Sequence, residues 1–295
     1  WLESTSAVRP FVLVWGAVLK MAPPKFDALH SVATQVLNDD YQISGYQFKA
    51  KQKTSLYGSV VTSTVDLVPT SQDSVVTPAK LTWLLPQPGG FNQLSIDKLE
   101  LDKKGAVKME ASSDKVYPGL KLIGKSDLKS LSQASTGFVY TGLKDFYVAA
   151  ETKASKPQDL VAEVTWACCP PAVLGLKCSG STLSSPDIGA RYTKGPFFAA
   201  VTTRDQRKTM VGSCNFKATK ELSCALSYTH SSKSQHFAVG ASYNLAGLLL
   251  KVKVAKGEAC FGCKMTASKG FTVLTGLKYR FTEKDISYGV QLSIE

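Results

Sequence analysis

Three motifs in this chain have spacings associated with chemistry, and the residues around each decide whether it is possible. Gly119-Leu-Lys-Leu-Ile-Gly124-Lys125-Ser126 has the spacing of a phosphate-cradling loop. Such a loop needs a flexible arch whose backbone N–H groups wrap the phosphate. Here Leu120, Lys121 and Leu122 alternate as a strand does, and Pro118 stands just before them. Cys260-Phe-Gly-Cys263 has the spacing of a metal or redox pair. On a strand, positions three apart point to opposite faces, so these sulfurs cannot share an ion. The histidines, His30, His230 and His236, come without a local nucleophile-and-base signature. His30 reads as an ordinary polar position on a helix, and the other two flank a turn at 231–235. The sequence offers no catalytic residue, no metal site and no cofactor, so an enzyme is not expected.

What remains is charge. Lysine and arginine outnumber the acids 35 to 23, for a net charge of +12 and a pI of about 9.3, which favours an anionic partner. The cations are patterned: Lys49, Lys51 and Lys53, then Lys80, Lys108, Lys121, Arg191, Lys217, Lys251, Lys253, Lys264, Lys278 and Arg280 alternate with Phe, Tyr, Trp, Val, Leu and Ala. A nucleic-acid surface would set aromatics among the lysines for base stacking. The aromatics here lie on the opposite face, so no nucleic acid is expected. Alternation reports two environments without saying which is which. A soluble sheet with a solvated basic face fits it, and so does a barrel with lipid outside and water inside.

The elements that carry this alternation favour the barrel. The longest apolar run, Phe11 to Leu19, is well short of the roughly 20 residues a membrane helix needs, and the mean hydropathy of -0.03 is what alternating strands average to. From Gly45 onward the period is two. Successive runs include Met210/Gly212/Cys214/Phe216, Phe237/Val239/Ala241/Tyr243, Leu248/Leu250/Val252/Val254 and Ile286/Tyr288/Val290/Leu292/Ile294. Turn segments such as Lys256-Gly257 and Ser268-Lys-Gly270 separate them. Runs of about ten residues suit tilted membrane strands, and roughly 19 of them fit between Gly45 and Glu295. Soluble sandwich strands are usually about 5–6 residues long. A closed sheet of this size is too wide for side chains to fill, so its interior holds water, and inward cations would favour anions there. The expected fold is all-β, a transmembrane antiparallel barrel of about 19 strands in residues 45–295. Seven cysteines, an odd count in a chain of this length, read as reduced thiols.

Residues 1–20 differ from the rest. They read as a translated upstream extension outside the fold, with an uncleaved anchor as the alternative, so that the functional chain starts at Met21. Residues 21–44 form the N-terminal segment. Within it, Phe26, Leu29, Val32, Ala33, Val36 and Leu37 recur at helical spacing after Pro23-Pro24, which predicts one amphipathic helix over 25–37.

With these residues in view, the chain resembles the eukaryotic porins of the mitochondrial outer membrane, the voltage-dependent anion channels. Met21-Ala-Pro-Pro-Lys-Phe-Asp-Ala-Leu29 resembles their N-terminus, followed by the helix and a lysine-rich first strand. Gly119-Leu120-Lys121 stands where members carry that tripeptide, although it recurs at Gly142, Gly175 and Gly276. Ser287-Tyr-Gly289-Val-Gln-Leu292-Ser-Ile294 is similar to the C-terminal insertion signal of mitochondrial barrels, through Ser287, Gly289, Leu292 and Ile294.

The resemblance implies a barrel closed by parallel pairing of first and last strands, with the helix inside the pore. It also implies voltage-dependent, weakly anion-selective diffusion of ATP, ADP and other small anionic metabolites across that membrane. The partners it implies are membrane lipid, the outer membrane's barrel-assembly machinery, and nucleotides and metabolites as permeants; a homo-oligomer is compatible with it. Where animal members carry a lipid-facing glutamate on the fourth strand, Ile96 stands here, with Asp97 and Glu100 nearby. The family's C-terminal region is partly matched around Tyr243 and Lys253-Val-Ala-Lys256, with Ala246 where an acid is expected, which marks a divergent member. The protein-translocating barrel of the same membrane is the alternative; it would carry a longer N-terminal region and an acidic lumen.

Overall fold

The computed structural model describes residues 22–54, 58–71, 74–76, 79–102, 105–180 and 185–295. Residues 1–20, the expected extension, lie outside them. Twenty strands follow a short helical segment. The first seven are β1 (Gly45–Lys53), β2 (Val60–Ser71), β3 (Ser74–Val76), β4 (Ala79–Leu85), β5 (Ser95–Asp102), β6 (Val107–Tyr117) and β7 (Leu120–Asp127). The next seven are β8 (Ser130–Tyr140), β9 (Phe146–Lys153), β10 (Lys156–Cys169), β11 (Ala172–Ser179), β12 (Asp187–Lys194), β13 (Phe197–Arg204) and β14 (Thr209–Lys217). The last six are β15 (Leu222–Ser231), β16 (Gln235–Leu245), β17 (Leu248–Ala255), β18 (Glu258–Ser268), β19 (Phe271–Arg280) and β20 (Asp285–Ile294).

Each strand pairs antiparallel with the next around the wall, except that β2 passes directly to β4 and the three-residue β3 pairs only with the far end of β2. Nineteen strands therefore form the ring. An odd number in an up-and-down ring leaves the first and last strands running the same way, so closure must be parallel. β1 and β20 indeed pair parallel, from Gly45↔Gly289 to Ala50↔Ile294. Among the described residues no helix is long and apolar enough to cross a membrane; the strands do the crossing.

The pleat sends alternate residues to opposite sides of the wall. One side carries Tyr46, Phe48, Trp166, Leu174, Ile188, Val201, Phe216, Tyr228, Val252, Phe261, Leu277 and Tyr288, all exposed. The register joins them across strands, as in Trp166↔Leu174, Tyr228↔Phe237, Val252↔Phe261 and Leu277↔Tyr288. In water so continuous an apolar surface would drive association. Around a barrel it is the lipid-facing band.

The other side has small residues in register: Thr165↔Gly175↔Gly189↔Thr202 across β10–β13, and Gly262↔Gly276↔Gly289 across β18–β20. Against them lies the N-terminal segment. Its helical part is shorter than the expected 25–37. A 3-10 turn, Phe26–Ala28, is followed by α1, Ser31–Leu37. His30 interrupts the two, with backbone φ -88 and ψ 3. Its ring is fixed to the wall, Nδ1 2.7 Å from Ser213 Oγ and Nε2 2.8 Å from Thr202 Oγ1. The reading of His30 as an ordinary helix position is therefore corrected. A buried imidazole needs both nitrogens partnered, and these two wall hydroxyls, each able to donate or accept, supply that.

Candidate pore and the segment lodged on its inner wall

Contacts of the segment locate the inside of the barrel. Phe26 and Leu29 are 2% and 0% exposed and sit over Gly175 and Gly189, where an added Cβ would lie 2.9 Å from the Phe26 ring and 2.7 Å from Leu29 Cδ1. Val36 is also buried, and Ala33, Val36 and Leu37 pack with Phe198, Ala200 and Ala225, with Val32 against them. Farther along, the Asp40 and Gln42 backbones lie over Gly262 and Gly276. The segment thus runs from β10–β11 to β19–β20. Seven helical residues at about 1.5 Å and nine extended ones at about 3.4 Å reach roughly 40 Å. Nine strand spacings of about 4.8 Å, lengthened by a tilt of about 40°, trace an outer arc of roughly 55 Å. Only a path along the shorter, inner side of the wall is within reach, so the segment lies in the lumen.

Polar contacts hold it at intervals. Thr165 Oγ1 donates to the Pro24 carbonyl at 2.7 Å, and Lys177 Nζ lies 2.8 Å from Asp27 Oδ2. At the other end α1 must satisfy its last carbonyls. Thr34 O accepts from the N–H of Asn38, Val36 O accepts from the Tyr41 hydroxyl at 3.2 Å, and Gln35 O accepts from Lys251 Nζ at 2.5 Å. The same ammonium donates to Asp39 O at 3.1 Å and faces Asp40 Oδ2 at 3.4 Å. Lys264 Nζ takes the other Asp40 oxygen at 2.9 Å, and Lys253 lies over the Tyr41 ring. Burial alone would raise the Asp40 carboxyl, but the hydrogen bond and charge of Lys264, with those of Lys251, hold it below its ordinary value. Burial, aided by the charge of Arg204, lowers the His30 imidazole from 6.5 to about 4, so it is neutral near pH 7.

All thirteen predicted cations occupy positions on the face that carries the segment: Lys49, Lys51 and Lys53 on β1, Lys80 on β4, Lys108 on β6, Lys121 on β7, Arg191 on β12, Lys217 on β14, Lys251 and Lys253 on β17, Lys264 on β18, and Lys278 and Arg280 on β19. Acids share that face and pair with eight of them. Lys51 meets Glu295 at 2.8 Å, Lys80 meets Glu100 at 2.9 Å, Lys121 meets Asp97 at 3.0 Å, and Arg280 meets Glu283 at 2.6 Å. Lys253 and Lys278 converge on Glu258, and Lys251 and Lys264 on Asp40. Among the described residues Lys49, Lys53, Lys108, Arg191 and Lys217 form no ion pair. The field is weaker than the cation count suggests.

The motifs set aside in the sequence fall into the wall. The phosphate-loop match is β7 itself, with Lys125 paired to Glu151 at 2.6 Å. Cys260 is buried on the inner face, and Cys263 takes the opposite face. Ile96 is outward by register, opposite Ala111, and a bulge follows that turns Asp97 inward to Lys121. In the C-terminal signal, Ser287 and Gly289 point inward, Gly289 beneath Gln42 O, while Leu292 and Ile294 point to lipid. Missed in the sequence were His30, Asp27, Asp40 and Lys177, which anchor the segment, and the small inward residues beneath it. The signal available was a glycine, serine, threonine or alanine at an inward position on successive strands.

A ring of nineteen strands is far too wide for side chains to fill, and the segment does not fill it either. A cavity of about 520 Å³ remains between Lys25 and Asp27 on one side and Lys125, Glu151, Glu163 and Lys177 on the other. No curated protein matches the chain. Among solved structures it is similar to a triple mutant of the Rhodopseudomonas blastica porin, at 11% identity over 77% of this chain and 93% of that one, with a TM-score of 0.47. A second mutant of that porin is similar at 12% identity over 86% and 96%, with a TM-score of 0.45. Likeness this distant says nothing about function. The eukaryotic porin family matches residues 22–279, nearly the whole ring and the segment within it. A closed membrane wall around water, with that match along its length, makes this chain a member of the eukaryotic porin family, a pore-forming outer-membrane barrel for small solutes.

Proposed function

We propose that the pore is a voltage-dependent, weakly anion-favouring channel for ATP, ADP and other small anionic metabolites in the mitochondrial outer membrane. One observation carries the selectivity. Lys49 and Lys53 on β1 face the lumen and, among the described residues, form no ion pair of their own, flanking the Lys51–Glu295 pair. Fixed cations in an aqueous constriction raise the local anion concentration, and extensive pairing elsewhere keeps the preference weak. Voltage dependence is supported by a charged segment held against the wall by noncovalent contacts, polar and apolar, whose charges a membrane field can bias. The barrel's partners in this reading are membrane lipid, the machinery that assembles outer-membrane barrels, and the permeant anions.

The test is the reversal potential of single channels across a potassium chloride gradient, with conductance recorded against voltage. The expected result is a potential of the sign set by chloride, with reduced conductance at high voltage of either sign. A potential set by potassium, or block by basic presequence peptides at low concentration, would overturn the reading and favour a protein-translocating barrel. Import of the labelled chain into isolated mitochondria, followed by protease treatment, checks the membrane.

A further inference from the structure

Neighbouring residues on a strand point to opposite faces, so Cys168 and Cys169 should hold their sulfurs far apart. They do not. The register of β10 against β11 slips between Trp166 and Cys169, and the two Sγ atoms come to 4.0 Å. Cys169 is exposed and Cys168 half-buried, with the Cys168 thiol 3.6 Å from the Ala172 carbonyl. Pro170 and Pro171 make the turn. A residue before proline is held in the extended region, so Cys169 is constrained on the side where the pair forms.

We propose that Cys168 and Cys169 form a chelating dithiol at the rim of the barrel for a soft ion of low coordination number, of which Cu(I) is the fitting class. With metal–sulfur bonds of about 2.3 Å, two sulfurs on one ion stand about 3.8 Å apart at the tetrahedral angle and about 4.6 Å apart in line. The observed separation falls between these limits. Among the described residues no three His, Cys, Asp or Glu side chains gather to hold a metal, which leaves two sulfurs and disfavours zinc, whose structural sites take four ligands. Thiolates select Cu(I). The exchange balances as two thiols plus Cu(I) giving a bis-thiolate complex and two protons released to solvent, with no change of oxidation state. Cys260 is buried within the lumen and the other four cysteines lie on the wall.

The test uses the full chain in detergent micelles, with Cu(I) supplied from a chromophoric Cu(I) chelator. Wild type is expected to withdraw one ion per chain and, because two protons leave, to lose apparent affinity about a hundredfold per pH unit below the thiol range. Copper should protect Cys168 and Cys169 together from alkylation, as read by peptide mass. Cys168→Ser and Cys169→Ser should each abolish withdrawal, whereas Cys263→Ser should retain it. Strand content by circular dichroism shows that each variant is folded. No withdrawal by wild type, a tenfold pH slope indicating one thiol, or withdrawal persisting in either folded single variant would overturn the site.

Discussion

Replacing Lys251 by methionine keeps most of the unbranched stem and removes its ammonium, and it isolates what holds the N-terminal segment. The ammonium caps α1 through Gln35 O, binds Asp39 O and faces Asp40, with the side chain only 6% exposed. Hydrogen bonds from a charged donor are each worth about 1.5–3 kcal/mol net, and removing one partner of a buried pair costs about 3–5 kcal/mol. Lys264 still neutralises Asp40, and lumen water can reach the freed carbonyls, so the low end applies. A loss of about 3 kcal/mol lowers the docked-to-released ratio by roughly 150-fold. If closure requires release, that energy moves the closing voltage toward zero by about 130 mV for a single gating charge, and by half that for two. Lys251→Arg, which keeps the charge and its donors, should recover most of the difference. The assay pairs bilayer recordings with protease clipping of residues 22–44 in micelles. An unchanged closing voltage and unchanged clipping in Lys251→Met would refute the assignment of the latch.

Three further outcomes are expected. His30 has its docked pKa lowered from 6.5 to about 4; the released state binds the proton first, so docking is fully favoured above about pH 6.5 and weakens as pH falls toward 4. At about 1.36 kcal/mol per unit, discounted for lumen water, this amounts to about 2 kcal/mol; clipping should rise between pH 7 and 4, and His30→Gln should flatten that profile. At Gly276 an added Cβ would lie 2.5 Å from Gln42 O and 2.7 Å from its carbonyl carbon, so Gly276→Val should displace the segment at a cost of about 1–3 kcal/mol, seen as faster clipping with strand content retained. Lys49→Glu with Lys53→Glu should shift the reversal potential in a salt gradient toward potassium, because both positions face the lumen and, among the described residues, neither forms an ion pair.

The wall was legible because its physics is local. A period of two fixes which side each residue takes, so β1 could be placed from Gly45 and every named cation assigned to one face without coordinates. Partners across strands were not legible, since pairs such as Lys121–Asp97, which reaches across β6, and the diagonal Lys278–Glu258 depend on register and on bulges, as at Ile96–Lys98. The helix was read as too long for a related reason. Apolar spacing from Phe26 to Leu37 is continuous, but the break at His30 comes from two hydroxyls on β13 and β14, more than 170 positions away. A glycine inside a strand ordinarily weakens it, and the sequence does not show that at Gly175, Gly189 and Gly276 an added Cβ would meet the segment lying over them.

The segment's own charges give the pore a further, opposite lever on selectivity. The acidic and basic residues of 22–44, besides His30, are Lys25, Asp27, Asp39 and Asp40. Docked, Asp27 neutralises Lys177, and Asp40 is shared by Lys251 and Lys264. Removing those carboxylates takes two negative charges away from Lys177, Lys251 and Lys264 and makes the lumen more basic, although release of the segment also leaves the pore less obstructed and so, on width alone, less selective. The two effects separate in the double variant Asp27→Asn and Asp40→Asn, which keeps the segment's bulk. Its anion preference should exceed that of wild type in a salt gradient, and the gain should shrink as salt rises and the Debye length falls from about 10 Å at 0.1 M to about 3 Å at 1 M. A double variant with wild-type selectivity at low salt would mean that Lys177, Lys251 and Lys264 do not sense the permeant stream, and that the segment shapes conductance by occupying space alone.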